Sequence, residues 1–307
     1  MPLHPEIEQF LAGAAAAGRP RLYELTPEQA RRQASAGAAA AGAGPAVSVV
    51  EDLVIGVEGA ALAARRYEPE HARGTIVWFH GGGWVLGGID TIDAMCRVLV
   101  NSSGARLLSI GYRLAPEHPF PTPLEDCWGA LSWAGRQFSG PLLVGGDSAG
   151  GNLAAVCALR ARDRGGPALA RQILVYPVTD HAMGTPSFAA YGGDEQPLSR
   201  RELEWIWGHY VADPRVRENP EVSPLRADDL AGLPPALVVV AGCDPLRDDG
   251  LSYAQRLREG GVDVIVHRHD GMIHSFFSMV NVLESGRAAV EAAGADIREW
   301  LLASAGE

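Results

Sequence analysis

Apolar residues along this chain fall into short unbroken runs separated by longer amphipathic stretches. The runs lie at residues 75–79, 106–110, 142–144, 172–176, 236–241 and 262–267. Each is too short for a helix, and 76–79, 142–144, 173–175 and 236–241 are apolar at every position, as in strands covered on both faces. Between them, residues 91–102, 124–136 and 152–164 read as helices. Strand alternating with helix predicts an α/β architecture: a mostly parallel central sheet with helices on both faces. In such sheets the functional groups collect at the carboxyl ends of the strands.

Two regions depart from the alternation. Near the start, Ile7, Phe10, Leu11 and Ala14 share one helical face. Thr26-Pro27-Glu28-Gln29 then reads as a capped helix start with proline at its first position. Residues 34–45 are rich in alanine and glycine and predict a loose helix end running into a linker. Runs at 47–57 and 60–67 follow, with Glu58-Gly59 between them marking a hairpin. The second departure spans about 179–228. It contains Ser199-Arg200-Arg201-Glu202, a capping box, and then Leu203, Ile206, Trp207, Tyr210 and Val211 at one-face spacing. The expectation is a single domain, residues 1–307, with a helical cap formed by about 1–45 and about 180–228.

The chemistry concentrates at strand ends. Gly146-Asp147-Ser148-Ala149-Gly150 follows an apolar run and precedes a helix. A serine on so sharp a turn takes a strained backbone, and its small neighbours let strand and helix pass closely. Gly146, Gly150 and Gly151 supply that room. His80-Gly81-Gly82-Gly83-Trp84 follows the strand at 75–79, Asp244 ends the strand at 236–241, and His274 follows the strand at 262–267. Nucleophile, acid and base in the order Ser148, Asp244, His274 match one known strand-to-helix serine arrangement. Ser148 needs a base to take its proton, and His274 is the candidate. Asp244 would orient the imidazole. Gly82 and Gly83 would offer backbone N–H groups to a developing oxyanion beside that of Ala149.

These blocks, with Tyr112-Arg113-Leu114-Ala115-Pro116-Glu117, Gly146 to Gly151, and Asp244-Pro245-Leu246, make the chain resemble the hormone-sensitive-lipase-like (family IV) esterases of the α/β-hydrolase superfamily. The resemblance runs from about Thr75 to Phe277. It implies an α/β-hydrolase fold, a serine carboxylesterase acting on short- to medium-chain acyl esters through an acyl-enzyme, and no cofactor or metal. It also implies association through sheet edges, hence a homodimer. In the family the Tyr112–Glu117 block is structural, and Arg113 with Glu117 is expected to form an internal ion pair. Three positions depart from the family: Gly111 where an acid is frequent, Ser275 where glycine is common, and Cys243 before the acid. Two further readings stand beside the esterase. One is a small-ligand receptor on the same fold, disfavoured by retention of all three catalytic groups. The other is a hydrolase of amides, lactones or long-chain lipids, which the same triad would serve.

The remaining candidates are weighed residue by residue. His80 braces the glycine block. His267 and His269 form a His-x-His pair that lacks a third metal ligand nearby. Asp248 and Asp249 rival Asp244 but fall in a helix's first turn, where carboxylates are favoured without any catalytic task. Asp270 reads as a turn residue, and Asp147 as structural. Trp84, Tyr176, Met183, Phe188, Trp205, Trp207, Met272 and Ile273 are candidates to line an apolar acyl pocket. The Gly-rich block is no phosphate loop: its spacing fails at Leu86, and a chain without lysine has no Walker motif.

Composition narrows the partners. A formal net charge of −11 argues against nucleic acid and anionic membranes. The start, Met1 to Glu6, has no basic region or long apolar run, so no secretory signal is expected. The four cysteines are too widely spaced for a Cys-x-x-Cys motif, and buried thiols in a reduced, cytoplasmic protein are the simplest expectation.

Overall fold

The computed structural model describes residues 1–304. Its eight strands form one sheet in the order β1-β2-β4-β3-β5-β6-β7-β8. The strands are β1 (Val49–Val57), β2 (Ala60–Glu68), β3 (Thr75–Phe79), β4 (Arg106–Gly111), β5 (Leu142–Asp147), β6 (Arg171–Val175), β7 (Ala236–Ala241) and β8 (Val264–His269). From β4 to β8 every neighbouring pair is parallel; the β1–β2 hairpin joins β4 antiparallel. Gly59 turns that hairpin at φ 71°.

The uninterrupted apolar runs have a simple cause. Alternate residues of each central strand enter two separate cores, one on each face of the sheet. Val77, Phe79, Val144, Leu174, Val238 and Val240 face α4 (Thr122–Gln137), α5 (Ala149–Arg164) and α8 (Arg247–Glu259). Ile76, Trp78, Leu143, Ile173, Leu237 and Val239 face α3 (Asp93–Ser103) and α9 (Glu284–Ser304).

The N-terminal segment forms α1 (Pro5–Ala16) and α2 (Pro27–Ala41). Thr26 and Gln29 make the expected reciprocal cap at the start of α2. The alanine-rich stretch is ordered helix as far as Ala41, further than a loose end suggests. Alanine is the strongest helix former, and Gly42 stops the run. The 179–228 region carries α6 (Pro186–Tyr191) and α7 (Arg200–Tyr210), the latter capped reciprocally by Ser199 and Glu202. These two regions meet. Arg21 pairs with Glu202 at 2.8 Å, and the Arg201 guanidinium lies 3.8 Å above the Tyr23 ring. Among the described residues no helix is long and apolar enough to cross a membrane.

Candidate active site

Ser148 sits between the last residue of β5 and the first of α5, at φ 55° and ψ −117°. A side chain in this region is strained, and the surrounding bonds hold it there. Its N–H donates to Val175 O at 2.8 Å, and its carbonyl accepts from Asn152 N at 3.0 Å. Gly150 is required by contact: a Cβ there would collide with the carbonyl of Phe79 on the neighbouring strand.

Three distant side chains converge on this turn. His274 Nε2 lies 2.9 Å from Ser148 Oγ, and His274 Nδ1 lies 2.7 Å from Asp244 Oδ2. A carboxylate only accepts, so Nδ1 carries the proton and Nε2 is free to accept from the serine. Asp244 is fully buried, and its Oδ1 accepts from Leu246 N at 2.9 Å. The rival acids are engaged elsewhere. Asp248 accepts from Ser187 N, and Asp270 accepts from Arg268. Asp249 is buried in α8, where desolvation pushes its carboxyl well above the usual range. His267 faces Asp296 at 2.8 Å. Among the described residues no cluster of three acidic, histidine or cysteine side chains is arranged to hold a metal.

The glycine block leaves β3 and curls beside the serine. Gly82 and Gly83 take φ 110° and 62°, a region that favours glycine, and Trp84 follows at φ 58°. Gly82 O accepts from Val85 N and Leu86 N, which closes the turn. Asp147, beside Ser148, ties the block down: its Oδ1 accepts from Gly81 N at 3.1 Å and Trp78 Nε1 at 3.2 Å. Burial raises its carboxyl to about 6. His80 has the bracing part expected of it. Its Nδ1 meets Gly81 O at 2.7 Å, and its ring stacks on Tyr112, whose hydroxyl donates to His80 O. Burial depresses the His80 imidazole to about 4, so it is neutral near pH 7.

The expected Arg113–Glu117 pair is not formed. Arg113 binds Asp126 through Nε and Nη2, at 2.9 and 2.6 Å. Glu117 instead binds Arg31 of α2, which holds its carboxyl down to about 2. Arg31 also donates to Val85 O at 2.8 Å and Ala115 O at 2.7 Å. The pairing failed as an expectation because both true partners lie outside the motif, Arg31 far upstream.

Among the described residues, four non-glycine positions take left-handed φ angles: Trp84, Ser148, Tyr176 and Ser275. All four belong to the loops around the serine, where stored strain is characteristically concentrated. Ser275, at φ 70° and ψ 2°, explains the family's usual glycine after the histidine.

Of the pocket candidates, Trp84 and Trp207 come together at 4.9 Å between ring centroids, with Tyr210 stacked on Trp84 at 4.1 Å. Tyr176 packs against the His274 ring at 4.7 Å. Met183 and Trp205 are half-buried at the edge of the α5-side core, and Phe188 is buried within it. Met272 and Ile273 are buried in the opposite core, beside α3 and α9. Ile206 was missing from the candidates, although its place in the α7 stripe was visible. A Cβ on Gly83 would come within 2.6 Å of its side chain. A cleft of about 1270 Å³ opens between α2 and residues 278–282, walled by Phe10, Ala38, Ala41, Met279 and Val282.

Comparison with known proteins agrees with this geometry. Residues 76–278 match the family described as alpha/beta hydrolase fold. The carboxylic ester hydrolase LipN of Mycobacterium tuberculosis is 42% identical over 80% of this chain and 69% of its own. The ethyl acetate hydrolase of Pseudomonas putida is 34% identical over 92% of this chain and 95% of its own. Among solved structures, a hyperthermophilic esterase from the archaeon Pyrobaculum calidifontis superposes with a TM-score of 0.91. It is 39% identical, covering 97% of this chain and 99% of that one.

Proposed function

We propose, from the premise that this chain belongs to the α/β-hydrolase family and is a carboxylic ester hydrolase, that Ser148, His274 and Asp244 carry the reaction on short- to medium-chain acyl esters. Ser148 Oγ attacks the ester carbonyl as His274 Nε2 takes its proton. Asp244 keeps the imidazole in the accepting tautomer and stabilises the imidazolium. The N–H groups of Gly82, Gly83 and Ala149 bind the oxyanion. Ala149 opens α5, where the first N–H groups have no acceptor within the helix. His274 then protonates the departing alcohol, and water activated by the same imidazole releases the acid.

The observation carrying this reading is the unbroken pair of contacts from Ser148 through His274 to Asp244, 2.9 and 2.7 Å. The preference for short acyl groups rests on Ile206, whose side chain fills the space against Gly83 beside the Trp84–Trp207–Tyr210 cluster. We assign α1, α2 and the 180–228 region to a cap over this site. The free edge of β8, with Ile265 and Val266 only half-buried, suits pairing with a second copy.

A fluorophosphonate label mapped by mass spectrometry tests the nucleophile. Modification confined to Ser148, and lost in Ser148→Ala, is expected; stoichiometric labelling of another residue overturns the assignment. A nitrophenyl ester series from acetate to decanoate tests the acyl range, which should fall off beyond medium chains.

A further inference from the structure

The start of α6 is joined to the loop that carries the catalytic acid. Ser187 is fully buried at this junction. Its N–H donates to Asp248 Oδ2 at 2.8 Å, and its Oγ accepts from Asp248 N at 3.2 Å. Its hydroxyl also donates to Pro245 O at 2.7 Å. The Pro245 carbonyl and the Leu246 N–H are two ends of one planar peptide unit. The other end of that plane donates to Asp244 Oδ1 at 2.9 Å. Fixing the carbonyl therefore fixes the direction of the N–H that holds the carboxylate.

We propose that Ser187 is a positioning residue of the catalytic acid: it clamps the Pro245–Leu246 peptide so that Leu246 N–H holds Asp244 in the orientation that meets His274. The proposal rests on the triad reading above. It adds a continuous line of hydrogen bonds from the 180–228 region to the nucleophile: Ser187, the peptide plane, Asp244, His274, Ser148. Nothing in the α/β alternation requires a serine here. A helix of six residues is stabilised at its start by Thr185, whose Oγ1 accepts from Phe188 N. Ser187 Oγ lies 3.1 Å from that Thr185 Oγ1, and Ser187 adds the hydroxyl and amide contacts to the acid loop. Groups that orient a reacting side chain through one intermediary matter because small misplacements of that side chain slow the chemistry.

The test compares Ser187→Ala with Ala190→Gly, which weakens the exposed side of α6 but leaves every hydrogen bond of Ser187 in place. Three quantities are read: kcat and KM on a nitrophenyl ester, and the low-field proton resonance of the His274–Asp244 hydrogen bond. Ser187→Ala should lower kcat about tenfold with KM little changed, and should shift or broaden that resonance. Ala190→Gly should lower the melting temperature while leaving kcat and the resonance as they were. Unchanged kcat in Ser187→Ala, or an equal kcat loss in both variants, overturns the proposal. If Ser187→Ala folds poorly, Ser187→Cys carries the same test: its thiol is a weak donor of similar size, so lower kcat at unchanged KM supports the clamp and unchanged kcat refutes it. Fluorophosphonate labelling of the unsubstituted enzyme keeps the two readings apart. Failure to label Ser148 removes the triad itself, whereas normal labelling with an indifferent Ser187→Ala removes only the clamp.

Discussion

Replacing Asp147 by asparagine should make the protein more stable near neutral pH, and the gain should vanish in acid. Asp147 is buried between the Ser148 turn and the glycine block. Desolvation raises its carboxyl to about 6, against an ordinary value of 3.8. A folded-state value above the unfolded one means that the folded protein holds the proton more tightly. The contribution is therefore fully present below about pH 3.8 and is lost as pH rises through about 6. At about 1.4 kcal/mol per pH unit, the gap corresponds to about 3 kcal/mol between protonated and ionised Asp147. Asparagine does not titrate, and its Oδ1 can keep accepting from Gly81 N–H and Trp78 Nε1–H. Urea unfolding of both proteins at intervals from pH 3 to 7.5 isolates the effect, because all other titrations cancel in the difference. The unfolding free energy of Asp147→Asn minus that of the parent should climb by about 3 kcal/mol across this range. A difference flat to within about 0.5 kcal/mol would refute the argument that burial governs this carboxylate.

Three further outcomes are expected. Ser275→Gly removes a left-handed strain of about 1 kcal/mol, partly offset by a more flexible unfolded chain; it should raise the melting temperature by a degree or two, and a fall would contradict it. Gly83→Ala meets both a strained φ of 62° and the Ile206 side chain. It should cut kcat about 100-fold or more through the displaced oxyanion donor, and kcat within threefold of the parent would count against that donor. Ile206→Ala should destabilise the fold by about 2–4 kcal/mol while raising the ratio of octanoate to acetate ester hydrolysis. A constant ratio would show that the acyl group lies elsewhere.

The parallel sheet and the residues that meet at Ser148 were readable because each follows from local chemistry. Strands covered on both faces must be apolar at every position, so β3 and β7 stand out without any knowledge of their neighbours. A strained serine turn needs glycines at fixed offsets, and Gly146 and Gly150 stand at them. The contacts that escaped are those joining residues far apart in the chain. Arg31 and Glu117 are 86 positions apart, so nothing in the motif around Glu117 names its partner. The same holds for Ser187 and Pro245, separated by 58 positions. Ile206 is visible as one apolar position of a stripe, but periodicity fixes which face is buried and not what that face touches. Ser275 is legible as a departure from the family, yet only its backbone angle explains why glycine is the usual choice.

The reach of Arg31 across to Val85 O, Ala115 O and Glu117 has a practical consequence for anyone reshaping this protein. A shortened variant begun at the hairpin, trimmed of its leading helices, would strip two main-chain carbonyls and a carboxylate of their shared cationic staple. The segment that follows the glycine loop would lose an outer support. Grafting a different leading segment to alter selectivity should therefore carry an arginine at the matching place, or the graft will slacken the machinery it was meant only to redirect.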